Sequence, residues 1–117
     1  MSSSGGGTVT AADMCSSGFL PCKEGDILRI KGTKPKSGTA SYVMTFDSSN
    51  AKVQSQSIYQ QGDDWVNHTA APWMNYENGI LEIPLTSQYF GSGFNSVRFS
   101  AGTIDGNTIV TINQEIV

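Results

Sequence analysis

The side chains best suited to recognition chemistry concentrate between Gln60 and Asn78, where strand-like alternation breaks down. That stretch carries Trp65, Trp73 and Tyr76 among Asp63, Asp64, Asn67, His68 and Asn75, and it holds both tryptophans of the chain. Flat aromatic faces stack on sugar rings or fill a partner's pocket, and neighbouring Asp, Asn and His groups add directional hydrogen bonds. Trp65, Trp73, Tyr76, Asp63, Asp64, Asn67 and His68 are therefore the candidate ligand-binding residues. The opposing reading is that Trp65 and Trp73 plug a core beneath a long connection, as large aromatics in small sandwiches do. Tyr59 and Tyr89 read as residues at the edge of the core. Asn67-His68-Thr69 also matches the N-glycosylation acceptor pattern, a three-residue match that arises often by chance.

Catalysis and metal binding find less support. Covalent or acid–base chemistry needs a nucleophile or base held by a partner, and the single histidine, His68, sits in a polar stretch with no such partner beside it. Asp63 and Asp64 are adjacent, so in extended chain they point opposite ways, and each would need a distant carboxylate such as Glu77, Glu82 or Asp105. Calcium would be the more natural ligand of such acids, but the spacing matches no EF-hand, and a solvated acidic turn is the simpler reading. Cys15, Cys22 and His68 lack the short paired spacings of a zinc site. No catalytic residue, metal ligand or cofactor is assigned. Cys15 and Cys22 would lie more than ~20 Å apart in extended chain at roughly 3.3 Å per residue, so a disulfide needs a reversal at Ser16-Ser17-Gly18. Two separate thiols are the alternative.

The elements that position these groups read as strands. Leu28 and Ile30 alternate with Arg29 and Lys31 between Gly25 and Gly32, and Tyr42, Met44 and Phe46 alternate with Val43 and Thr45 before the turn Asp47-Ser48-Ser49-Asn50. A partner strand is expected over Ala51 to Tyr59. Val97, Phe99 and Ala101 alternate with Arg98 and Ser100, and Asp105-Gly106-Asn107 leads into Thr108 to Ile112, which reads as a hairpin. Asn78-Gly79 is a second turn signal ahead of Ile80 to Leu85, where Pro84 calls for an edge strand or a short one. Helix is confined to a turn or two near Thr86 to Phe90, closed by Gly91-Ser92-Gly93. The expected fold is all-β, an antiparallel β-sandwich of about 7–8 strands, of jelly-roll type.

At 117 residues, 38% hydrophobic and 15% charged, the chain has room for one domain with its own core. Residues 1–7 read as a flexible lead-in and 8–117 as the sandwich domain. A net charge of −3 with seven scattered Lys and Arg makes no basic stripe, so nucleic acid is not an expected partner. No apolar run approaches the ~20 residues of a membrane helix, so no membrane insertion is expected either.

Gly18 to Gly32, with its Phe-Leu-Pro-Cys-Lys-Glu-Gly-Asp-Ile-Leu-Arg-Ile-Lys run, together with Val97-Arg98-Phe99-Ser100 and Ile109 to Ile116, resembles a jelly-roll module of phage and prophage tail-associated proteins. The likeness covers residues 15 to 117. It implies a non-enzymatic, carbohydrate-binding sandwich in a virion component such as a tail fibre or baseplate, in contact with host-surface polysaccharide and with other virion proteins, often as a homotrimer. The matching residues specify strands and turns, so no binding residue carries over, and Cys15 and Cys22 are not features of the group. Two other expectations stand beside this one. The domain could be a purely structural virion module for decoration or trimerisation, with its aromatics buried between subunits, or an extracellular carbohydrate-binding appendage of a secreted bacterial protein.

Overall fold

The computed structural model describes residues 15–35, 38, 40–59, 64–65 and 71–116. The lead-in expected at 1–7, the ordered start expected at Thr8, and Asp63, Asn67 and His68 lie outside the described residues. The described chain is an all-β sandwich. Its strands are β1 (Cys15–Ser16), β2 (Leu20–Pro21), β3 (Ile27–Lys31), β4 (Ala40–Phe46), β5 (Lys52–Tyr59), β6 (Asn75–Glu77), β7 (Ile80–Pro84), β8 (Ser96–Ala101) and β9 (Ile109–Ile112), with one helical turn, α1 (Ser87–Phe90). One sheet runs β1-β8-β4-β5, with β2 also on β8, and the other runs β6-β7-β3-β9. Every pairing is antiparallel.

Alternation decides which side chains face the other sheet. Leu28 and Ile30 of β3 and Leu81 and Ile83 of β7 point inward, at 3% exposure or less, against Val43, Val97 and Phe99 of the opposite sheet. Their neighbours Arg29, Lys31, Ile80 and Glu82 therefore share the outer face of the second sheet. β4 is buried on both sides. Val43 joins the core between the sheets, and the Thr45 hydroxyl donates to the Phe90 carbonyl at 2.7 Å. Met44 and Phe46 form a separate small cluster with Tyr42 on the far side. The Phe19 ring meets Phe46 edge-on at 5.0 Å between centroids, and the Arg98 guanidinium lies 4.9 Å from the Phe19 centroid. That outer cluster is why the Tyr42-Met44-Phe46 side of β4 is as apolar as its inner side.

The turns follow their residues, but not every turn makes a hairpin. Asn78 (φ 54°) and Gly79 (φ 79°) form the two-residue connection of the β6–β7 hairpin, with φ positive at both positions as a type I′ turn requires. By contrast, the hairpin expected between Val97–Ala101 and Thr108–Ile112 does not exist. β8 pairs with β4, β1 and β2, whereas β9 pairs with β3 in the other sheet. The intervening turn carries the chain across the sandwich, and the Gly102 amide is taken by the Lys34 carbonyl at 2.6 Å. A turn signal reverses the chain without choosing its partner. Pro84 ends a strand that is short yet internal, between β6 and β3, because β6 pairs only with Ile80 to Glu82 and needs no amide from Pro84. The helical turn occurs where expected, with Gly91 (φ 75°) ending it, although Thr86 makes no side-chain cap bond.

Candidate functional site

The structure turns both tryptophans inward. Trp65 is 5% exposed and its indole N–H is satisfied by the Thr33 hydroxyl at 3.0 Å and carbonyl at 3.2 Å, just beyond β3. Trp73 is 6% exposed and stands edge-on to Phe90, with centroids 6.0 Å apart at 88°. Tyr76 faces inward from β6 and packs against the same core, half-buried. Emptying such an indole site costs about 3–5 kcal/mol, more than the ~0.5–1.5 kcal/mol that an aromatic stacking contact returns. The stacking platform expected from Trp65, Trp73 and Tyr76 is therefore not what these rings form, and burial of the indoles requires no neighbouring subunit. Asp64 is exposed beside Trp65, and nothing described brings it to Tyr76.

An open site lies elsewhere, on the outer face of the second sheet. Strand register aligns Asn75 of β6 with Glu82 of β7, Glu82 with Arg29 of β3, and Arg29 with Thr111 of β9, so these four form one row across the sheet. The next row is Glu77, Ile80, Lys31 and Ile109. A groove of about 190 Å³ is lined there by Arg29, Asn75, Glu77, Asn78, Ile80 and Glu82, and by Glu115 and Ile116 from the segment after β9. Arg29 Nε donates to Glu82 Oε2 at 3.0 Å and Arg29 Nη1 to the Gln114 carbonyl at 3.1 Å. The side chain of Arg29 is 13% exposed and that of Glu82 41%, so the pair is half in solvent and contributes at most ~1 kcal/mol. Its use is to fix two planar groups beside each other on the outer face. Asn75, Glu77 and Glu82 were legible as polar or acidic residues near the aromatic segment. Arg29 and Asn78 read only as a strand face and a turn. The alternation of β3 and β7 points to Arg29 and Glu82 as outward groups, but their pairing needs the register.

One wall of the groove depends on a clasp built by Asn113. This residue, at φ 66°, accepts from the Ile27 amide through Oδ1 at 2.9 Å and donates through Nδ2 to Asp26 Oδ1 at 2.9 Å. Its own amide donates to the Ile27 carbonyl at 2.8 Å. Asn, with a short polar side chain that bonds locally, is among the few residues that hold this left-handed backbone cheaply. Asp26 is 7% exposed, and its other oxygen accepts from the Lys23 amide at 2.9 Å. The Asn113 amide bond, helped by the Lys23 amide and charge, holds the Asp26 carboxyl below its ordinary value despite burial. The clasp fixes the end of β9 to the start of β3 and so aims Gln114 at Arg29. The Thr111 hydroxyl donates to the same Gln114 carbonyl at 2.6 Å.

The cysteines stay apart. Cys15 lies opposite Ala101 and Pro21 opposite Ser96, five positions along β8, which is about 17 Å at ~3.3 Å per residue against a disulfide Cα reach of roughly 7 Å. Cys22 is a free, half-buried thiol, and burial, with the Asp26 charge added, pushes its pKa up to about 12. Between the sheets a void of about 20 Å³ touches Trp65, Trp73, Val43 and Ile58, and Ser41 borders it with a hydroxyl that has no partner among the described residues. Among the described residues no three His, Cys, Asp or Glu side chains come together as metal ligands. The chain matches no family model, no curated protein and no solved structure.

Proposed function

We propose that this domain is a non-enzymatic host-contact module of a phage virion, of the tail-fibre or baseplate kind, holding a host-surface glycan in the groove on the outer face of its second sheet. The observation that carries this reading is the groove, where an amide, a carboxylate and a guanidinium from three neighbouring strands stand in one row. Planar groups of this kind offer donors and acceptors in fixed directions, which suits the ring hydroxyls of a sugar. At about 190 Å³ the groove is smaller than the ~300–1,000 Å³ pockets that engulf drug-sized ligands, and it fits one ring of a chain lying across the sheet. The virion setting is supported by the resemblance of residues 18–32, 97–100 and 109–116 to tail-associated modules.

The test is a nuclear magnetic resonance titration of ¹⁵N-labelled protein with oligosaccharides from bacterial cell walls and capsules, following the Asn75 and Asn78 side-chain amides and Arg29 Nε. Saturable shifts confined to these groups, weakened several-fold in Asn75→Ala, are expected. Asn75 is exposed, so this substitution leaves the fold intact. No shift at the groove across the panel would overturn the reading. A structural virion module is the second reading; enclosure of Trp65 and Trp73 within one chain removes their expected place between subunits, and what favours the reading is that neither ring is left to stack on a sugar. Its trimerising form requires a stable assembly of three chains in sedimentation equilibrium at low concentration, and a monomer there removes that form.

A further inference from the structure

We infer that the groove takes an amine-bearing sugar in preference to a neutral or acidic one, an inference that rests on the glycan-binding reading above. Of the groups lining the groove, three are carboxylates (Glu77, Glu82 and Glu115) and one is a guanidinium (Arg29), an excess of two negative charges. Arg29 already has part of its charge offset within the protein. Its Nε is held by Glu82, its Nη1 by the Gln114 carbonyl, and little of its side chain reaches solvent. A uronate or phosphate would meet a guanidinium charge already offset by Glu82, with the carboxylates of Glu77 and Glu115 nearby. Glu77 and Glu115, by contrast, are exposed, and the structure pairs neither with a cation among the described residues. Lys31 stands in the row of Glu77 and Ile80, two strands from Glu77, but does not line the groove.

The two sides of the groove come from separate parts of the chain. Glu77 ends β6 at the Asn78-Gly79 turn, whereas Glu115 arrives on the segment that Asn113 and Arg29 hold against the sheet. A ligand between them meets carboxylates from both sides, with the amides of Asn75 and Asn78 alongside for its hydroxyls. An ammonium group on the ring pairs with either carboxylate and halves the excess of negative charge. A carboxylated ring would add a like charge to the same small space.

The experiment compares three short oligosaccharides in the same resonance titration: a glucosamine oligomer, an N-acetylglucosamine oligomer and a galacturonate oligomer. The glucosamine oligomer is expected to bind about two- to fivefold more tightly than the acetylated one at low salt, as one exposed ion pair allows. The advantage should shrink as sodium chloride is added and vanish in the Glu77→Gln, Glu115→Gln double variant, whose surface changes leave folding unaffected. Equal binding of the amine and acetylated oligomers, or tighter binding of the galacturonate, overturns the charge assignment while leaving the groove a glycan site. Silence of the groove resonances toward all three, and toward the wider panel above, removes the glycan reading and this inference with it.

Discussion

Asn113→Gly tests the clasp on which the groove's wall depends. Glycine keeps the left-handed backbone at φ 66° and removes only the side chain, so the loss is that of two hydrogen bonds. The bond to the Ile27 amide is exposed and contributes about 0.5–1 kcal/mol; the bond to the nearly buried Asp26 carboxylate, being charge-assisted, contributes about 1.5–3 kcal/mol. The expected loss is about 2–4 kcal/mol, a large part of the ~5–15 kcal/mol that holds a domain together. Urea unfolding followed by tryptophan emission reads it directly, since Trp65 and Trp73 pass from core to solvent. The pH dependence supplies the sharper check. Because Asp26 titrates below its ordinary value in the folded state, its contribution is present above the unfolded value near 3.8 and is lost as pH falls through the folded one. The gap between the parent and Asn113→Gly should be full at pH 7 and narrow as the solution is acidified below about pH 4. A gap under about 0.5 kcal/mol at neutral pH, or one that does not narrow in acid, refutes the reasoning.

Three other outcomes follow from buried groups. Ser41→Ala removes a hydroxyl that has no partner among the described residues, so stability should stay level or rise by up to about 1 kcal/mol in the same assay, and a loss beyond 1 kcal/mol would mean that the hydroxyl is satisfied inside the core. Cys22, pushed up to about 12 from 9.0, should be alkylated by iodoacetamide at pH 8 about a thousandfold more slowly in the folded protein than in urea, with peptide mass spectrometry separating it from Cys15. Its raised value also means that stability is full below pH 9 and falls as pH rises from there toward 12, a decline that Cys22→Ala should lessen.

Much of the fold was legible before any coordinate, and the reason is local. Alternation placed Leu28 and Ile30 on one face of β3 and Arg29 on the other, because side chains of a strand must alternate whatever the strand pairs with. Asn78-Gly79 announced its turn because only such residues hold two successive positive φ values cheaply. The absence of helical periodicity agrees with a single helical turn, Ser87–Phe90, among the described residues. The candidate site was less legible. A tryptophan in an irregular stretch has the same composition whether it meets sugar or core, and the contacts of Trp65 with Thr33 and of Trp73 with Phe90 go with core burial for both.

Partner choice was beyond the reach of local pattern. Val97–Ala101 and Ile109–Ile112 carry every mark of a hairpin, yet they join opposite sheets, because the apolar faces of β8 and β9 find their burial against β4 and β3. The groove arises the same way: Asn75, Glu82 and Arg29 meet through strand register, and Glu115 joins them through the Asn113 clasp. Alternation, turns and the all-β class are properties of neighbouring residues, and the amino-acid sequence determines them by itself. Which strands lie side by side, which aromatics they enclose and which polar groups they bring into one row depend on energies shared between distant segments, and only the tertiary structure decided them.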